Sequence, residues 1–162
     1  IEAGTGIGKT LAYLLPLVLY AKENDTRVVI STNTINLQEQ LFEKDLPLLE
    51  KIIGHKIRYT LVKGRSNYIC SDRYYKNNKN PKITEWFENT HTGDRAEIDF
   101  YVSNEEWNMI KSDKDFCSPK KCNCFFYKAR KELQDNEILI VNHSLLFSHL
   151  KYDKILPNLS SP

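Results

Sequence analysis

No apolar run in this 162-residue chain approaches the roughly twenty residues that a membrane-spanning helix needs. Ile138-Leu139-Ile140-Val141 is far too short, and the start of the chain carries no signal-peptide pattern. Charge of one sign is also scarce in the balance: 23 basic against 21 acidic residues leave a net charge of +2, too small to mark a polyanion partner by itself. No internal repeat and no low-complexity tract is present, which excludes solenoid arrays and linker-type sequences. An initiator methionine is missing too, and Asn158-Leu159-Ser160-Ser161-Pro162 gives the tail no structural ending. The expectation is a fragment of a longer protein, cut at both sides. What remains is 41% hydrophobic and 27% charged, an ordinary balance for a domain large enough to bury a core.

The most informative stretch is Ile1-Glu2-Ala3-Gly4-Thr5-Gly6-Ile7-Gly8-Lys9-Thr10. It reads as a phosphate-binding loop with alanine in place of the usual first glycine. Gly4, Gly6 and Gly8 let the backbone turn tightly, so that N–H groups converge on phosphate oxygens. Lys9 adds a point charge over the β- and γ-phosphates, and the Thr10 hydroxyl is placed to ligate Mg²⁺. A helix starting near Gly8 would point its positive end at the same phosphates. Ala3, Gly4, Thr5, Gly6, Ile7, Gly8, Lys9 and Thr10 are therefore the expected ATP-binding residues, with Lys9 and Thr10 carrying the chemistry. The plainer alternative is a flexible loop capping an amphipathic helix.

Helical spacing of Leu11, Leu14, Leu15, Val18 and Leu19 predicts a helix from Lys9 to about Asn24, with a kink expected at Pro16. Arg27-Val28-Val29-Ile30-Ser31 predicts a buried strand, and helix followed by strand is the opening of a parallel α/β sheet. Thr34 is placed to cap a helix with Leu37, Leu41 and Phe42 on one face; Pro47 should start a second one, ended by Gly54. Ile57 to Val62 alternates as a strand. The pattern then breaks from Lys63 to about Asn136, too long for a loop and so a subdomain of its own, with short helices around Trp86-Phe87 and Glu105-Trp107 and a turn at Thr92-Gly93-Asp94. Sheet logic resumes with a strand at 138–141 and a last helix opened by Asn142-His143-Ser144, with Leu145, Leu146 and Leu150 inward. The expected organisation is 1–62, an insert at 63–136, and a return at 137–162.

All four cysteines, Cys70, Cys117, Cys122 and Cys124, fall in the insert. A nucleotide-binding protein is normally cytosolic, where thiols stay reduced, which argues against disulfides. Free cysteine packs as a small hydrophobe. Three within eight residues, flanked by lysines that favour thiolates, fit that role poorly. Four thiolates suit either Zn²⁺ or an iron–sulfur cluster. A distant first ligand plus a cluster of three leans towards iron–sulfur, but spacing alone leaves both metals open.

Together these blocks resemble the XPD/DinG-like DNA helicases of superfamily 2, closest to the bacterial DinG-like branch. Glu2 to Thr10 resembles their motif I, and Ser31-Thr32-Asn33-Thr34-Ile35-Asn36-Leu37-Gln38-Glu39-Gln40-Leu41 their motif Ia. Lys63-Gly64-Arg65-Ser66-Asn67-Tyr68-Ile69-Cys70 resembles the way into their iron–sulfur domain, and Cys124-Phe125-Phe126-Tyr127-Lys128-Ala129-Arg130 the way out. Val141 to Phe147 resembles the return to the core. The resemblance implies a RecA-like parallel-sheet motor core with an inserted, mainly helical subdomain. It further implies 5′-to-3′ helicase activity on single-stranded or forked DNA, as a monomeric motor. Cys70, Cys117, Cys122 and Cys124 fall on the four ligand positions of a 4Fe–4S cluster, although one residue between Cys122 and Cys124 is a shorter gap than the family usually shows. The family's DEAH motif, expected shortly after Pro162, its adenine-reading segment and its second motor domain are not in this sequence.

Charge is also unevenly spread. Lys111, Lys114, Lys120, Lys121, Lys128, Arg130 and Lys131 stand against only Asp113 and Asp115, interleaved with Phe116, Phe125, Phe126 and Tyr127. Cations for phosphates and aromatic faces for bases are what single-stranded DNA requires. Lys120, Lys121, Lys128 and Arg130 are the DNA-facing candidates; a solvated charged face over a small aromatic core is the blander reading. Arg65 is placed either to contact a phosphate or to hydrogen-bond cluster sulfurs. Thr32 and Thr34 are placed to hold a phosphate of the strand, or merely to cap a helix. The competing functional class is a metal-stabilised DNA-binding module in which nucleotide binding is regulatory.

Overall fold

The structure, a computed structural model, describes residues 8–117, 124–152 and 156, without the side chains of Ile35 and Tyr152. The chain divides into two compact units, Ile1–Lys63 with Leu133–Pro162, and Gly64–Glu132.

The first unit is a parallel α/β layer. Strands β1 (Val28–Thr32), β2 (Tyr59–Leu61) and β3 (Ile138–Asn142) form one sheet in the order β1-β3-β2. Both pairings are parallel, with Ile30 opposite Ile140 and Leu61 opposite the same residue from the other side. The central strand β3 has neighbours on both edges and layers on both faces, so Ile138, Leu139, Ile140 and Val141 are all fully buried. Alternation along β3 then divides the core. Ile138 and Ile140 pack with Leu14 and Val18 of helix α1 (Lys9–Glu23), Leu41, and Leu46 and Leu49 of α3 (Leu46–Ile53). Leu139 and Val141 pack on the opposite side with Val62, Leu133, Leu156 and, from α8 (His143–Tyr152), Leu145 and Leu146. Each such residue contributes about 1.5–3 kcal/mol by leaving water.

Arginines flank the start of β3. Arg27 donates to the carbonyls of Gln134 and Asn136 at 2.9 and 3.0 Å. Arg58 places Nε and Nη2 at 3.2 and 2.8 Å from Glu137 Oε1. They fix the register where the chain re-enters the sheet.

The helical stretch after β1 differs from the expectation of separate helices. α2 (Ile35–Gln40) runs through a wide π-type turn, Leu41–Asp45, straight into α3. Pro47 supplies the reason: it has no N–H to donate one turn back and its ring crowds that turn, so the helix widens there rather than stopping. Pro16 by contrast sits inside the single helix α1. Leu150, expected inward, is 66% exposed.

The second unit is mainly helical. Helices α4 (Ser71–Asn77), α5 (Pro81–Asn89), α6 (Asn104–Ile110) and α7 (Phe125–Glu132) are short, and side-chain caps fix the starts of α5 and α6. Asn80 accepts from Lys82 N ahead of Pro81, and Ser103 with Glu106 forms a reciprocal capping box. The unit's core is Ile69, Tyr74, Ile83, Val102, Trp107 and Ile110. Trp107 Nε1 donates to Ser66 O at 2.8 Å. Tyr68, Cys124 and Phe126 form a smaller cluster.

Candidate functional site

In the first unit the three parallel strands all point their carboxyl ends to one edge, at Thr32, Leu61 and Asn142. Gly8 adopts a left-handed conformation (φ +77°), which only glycine takes without strain, and α1 begins on the next residue, Lys9. Lys9 is exposed and Thr10 half-buried. Thr10, Tyr13, Ser31, Thr32, Asn33 and His143 are among the residues around a cavity of about 320 Å³ at this edge. Burial, and then Asp45, push the Tyr13 phenol pKa up, and Thr10 one turn earlier opposes them. Ser31 Oγ and His143 Nδ1 meet at 2.7 Å, tying the end of β1 to the start of α8. Ala3, Gly4, Thr5, Gly6 and Ile7 lie outside the described residues.

The two threonines after β1 are used differently. Thr32 is 8% exposed, and its hydroxyl donates to Thr34 O at 3.2 Å. Thr34 Oγ1 accepts from Leu37 N at 3.3 Å as the N-cap of α2, so its own O–H proton is not consumed by capping. Capping and phosphate contact are thus compatible at Thr34.

In the second unit Cys70, Cys117 and Cys124 are all buried. Cys70 Sγ and Cys117 Sγ are 3.1 Å apart. Cys124 Sγ lies 3.5 Å from Ser112 Oγ. Burial pushes the Cys117 thiol up, but hydrogen bonding with Ser112, the Asp113 backbone and Cys70, together with the charge of Arg65, brings it below the usual thiol value. Arg65 donates through Nη2 to Tyr127 Oη at 3.1 Å, while its Nη1 is buried with no hydrogen-bond partner among the described residues. Among those residues no three His, Cys, Asp or Glu side chains are grouped to hold a metal ion, and Cys122 lies outside them. The donor chemistry nonetheless suits a thiolate-bound metal: three buried thiols, a cation beside one of them, and an unsatisfied buried N–H on that cation.

Arg65 and Arg130 both lie over the Phe126 ring, at 4.2 and 4.9 Å from its centroid. Burial lowers the Arg130 pKa to about 10, opposed by Tyr68 and reinforced by Arg65. The Tyr68 phenol is pushed up to about 12, by burial first and then by Asp94. Lys128 is exposed on α7, whereas Lys120 and Lys121 lie outside the described residues. Phe116 is 66% exposed with the Arg73 guanidinium over its ring, while Phe126 is buried.

The profile of DEAD/DEAH box helicases matches residues 1–84. The chain belongs to the DEAD/DEAH box helicase family. It is similar over nearly its whole length to proteins named ATP-dependent DNA helicase DinG. The Escherichia coli K12 protein is 31% identical over 194 residues, covering 98% of this chain and 26% of the relative. The Salmonella typhimurium protein is 31% identical over 193 residues, 97% of this chain and 26% of the relative. The Photobacterium profundum protein is 34% identical over 175 residues, 93% and 25%. The chain thus spans about a quarter of the length of the relatives it matches. In this DinG-like chain the α/β layer is a partial RecA-like core.

Sequence reasoning missed three site neighbours. Tyr13 read only as part of a helix, although its place one turn after Thr10 was a signal. His143 read as an ordinary polar residue at a helix start, and its bond to Ser31 crosses 112 positions. Ser112 sits among Lys111, Asp113 and Lys114 and looks like solvated surface, yet it is 2% exposed.

Proposed function

We propose that the intact protein is an ATP-driven helicase that moves 5′ to 3′ on single-stranded DNA, works in the cytosol as a monomer, and carries a 4Fe–4S cluster in the unit 64–132. The observation that carries the motor reading is the left-handed Gly8 placed directly before α1, beside the carboxyl edge of a parallel sheet. That arrangement supports a loop of backbone N–H groups, from Ala3 through Gly8, around the phosphates of ATP. Lys9 then balances charge on the β- and γ-phosphates, and Thr10 offers its oxygen to Mg²⁺. Phosphoryl transfer of this kind is mostly positioning and charge stabilisation, and these residues supply the positioning.

Cys70, Cys117 and Cys124, with Cys122, would hold the cluster. The iron–thiolate bonds supply a cross-link between segments 47 residues apart. The Arg65 charge acts on the Cys117 thiol, and the buried Arg65 N–H is suited to a sulfur acceptor. Thr34, Lys128 and Arg130, joined by Lys120 and Lys121, are assigned to DNA phosphates, with Thr32 holding the turn that presents Thr34. The test is ATP hydrolysis by the full-length protein with and without single-stranded DNA. Stimulation by DNA, abolished in Lys9→Ala, is the expected result; hydrolysis undiminished in Lys9→Ala would refute the role given to Lys9.

A further inference from the structure

Ser112 is 2% exposed, one of the few fully enclosed polar side chains among the described residues. Its backbone is fixed by a short antiparallel pairing. Ser112 N donates to Tyr68 O at 2.7 Å, Cys70 N donates to Ile110 O at 2.8 Å, and Ile69 is bridged to Lys111 between them. The pairing delivers the serine hydroxyl beside the segment that ends in Cys70.

The partner of that hydroxyl is unusual. It lies 3.5 Å from Cys124 Sγ. The hydroxyl's hydrogen-bond partner there is a sulfur atom. A buried hydroxyl without a good partner costs stability, and a thiol is a weak acceptor. A thiolate is a strong one, because the bond is then charge-assisted. A serine enclosed against sulfur is therefore best satisfied when that sulfur is ionised, as in a metal-bound cysteine.

We propose that Ser112 is a positioning residue of the cysteine site, donating its single hydroxyl proton to the metal-bound Cys124 sulfur. The proposal rests on the reading that these cysteines hold an iron–sulfur cluster. Hydrogen bonds to cluster sulfurs stabilise the more negative, reduced state and so raise the reduction potential. They also hold the ligand segments, here 112–117 and the start of α7, in one arrangement.

The test uses full-length protein purified without air, as wild type, Ser112→Ala and Ser112→Thr. Iron per chain is measured first, then the reduction potential by stepwise titration with dithionite followed by electron paramagnetic resonance, then the rate of iron release to a chelator. The expected result is an iron-loaded Ser112→Ala with a lower potential and several-fold faster iron release, and a Ser112→Thr restored towards wild type. An Ala variant that loses its iron while the Thr variant keeps it also supports the proposal. Iron-loaded wild type with an Ala variant unchanged in both readouts overturns it, leaving the cluster reading intact. Equal effects of Ala and Thr overturn it too, because packing rather than the hydroxyl would then be responsible. Wild-type protein without iron overturns the cluster reading itself, and this proposal with it.

Discussion

Cys70 Sγ stands 3.1 Å from Cys117 Sγ, although 47 residues separate the two in sequence. One follows the bridge between Ile69 and Lys111, and the other closes a turn in which Cys117 N donates to Asp113 O at 2.8 Å. Removal of the proposed metal should therefore be felt locally. Chelation is expected to open the segments around Tyr68, Cys117 and Phe126 to protease, while the sheet centred on Ile140 stays protected. Limited proteolysis with mass mapping checks this; uniform resistance after metal loss would contradict it.

Gly93 provides a second prediction. Its φ is +64°, its N–H donates to Thr90 Oγ1, and its carbonyl accepts from Ile69 N at 2.9 Å. A methyl group at this position would run into the Phe125 ring. Gly93→Ala combines a left-handed backbone with overpacking and should cost about 1–3 kcal/mol or more in the unit Gly64–Glu132. Denaturant unfolding monitored by tryptophan fluorescence reports it, since both tryptophans, Trp86 and Trp107, lie in that unit. Stability equal to the parent would show that the turn at Thr92-Gly93-Asp94 relaxes freely.

A third prediction concerns pH. The Glu106 carboxylate accepts from Ser103 N, the largest cause of its lowered pKa, and then from Asn80 Nδ2. A carboxylate with a depressed folded-state pKa contributes fully above its ordinary value near 4.5 and loses that contribution as pH falls through the folded value. Thermal unfolding of Glu106→Gln should accordingly fall less steeply below that pH than the parent. Identical acid profiles would remove Glu106 from the account.

Thr34 separates helix capping from DNA contact. Thr34→Ala removes the cap on Leu37 N and should cost about 1 kcal/mol of stability. Thr34→Ser keeps both the cap and the donor. If the hydroxyl also meets a phosphate, fluorescence anisotropy of a labelled single strand should show weaker binding by the full-length Ala variant and near-normal binding by the Ser variant. Equal affinity for all three proteins would leave Thr34 as a cap alone.

The legible parts of the fold are those whose physics is local. β1 and β3 announce themselves as short β-branched runs, and α1 as a leucine pattern behind Gly8. The wide turn at Leu41–Asp45 was not legible, because Pro47 reads equally as the start of a new helix or as a strain relieved one turn earlier. The site was legible as motifs and not as contacts. Arg65 and Arg130 share one phenylalanine ring, and Ser31 meets His143, only because the fold closes separations that no local pattern encodes. Ser112 was hidden by its charged neighbours, and only the bridge at Lys111 turns it inward.

Strand separation by the full-length protein on two duplexes, one with a 5′ single-stranded tail and one with a 3′ tail, tests the central claim most directly. The account predicts ATP-dependent unwinding of the 5′-tailed duplex alone, lost in Lys9→Ala. Unwinding of neither duplex, or of the 3′-tailed duplex alone, would contradict it.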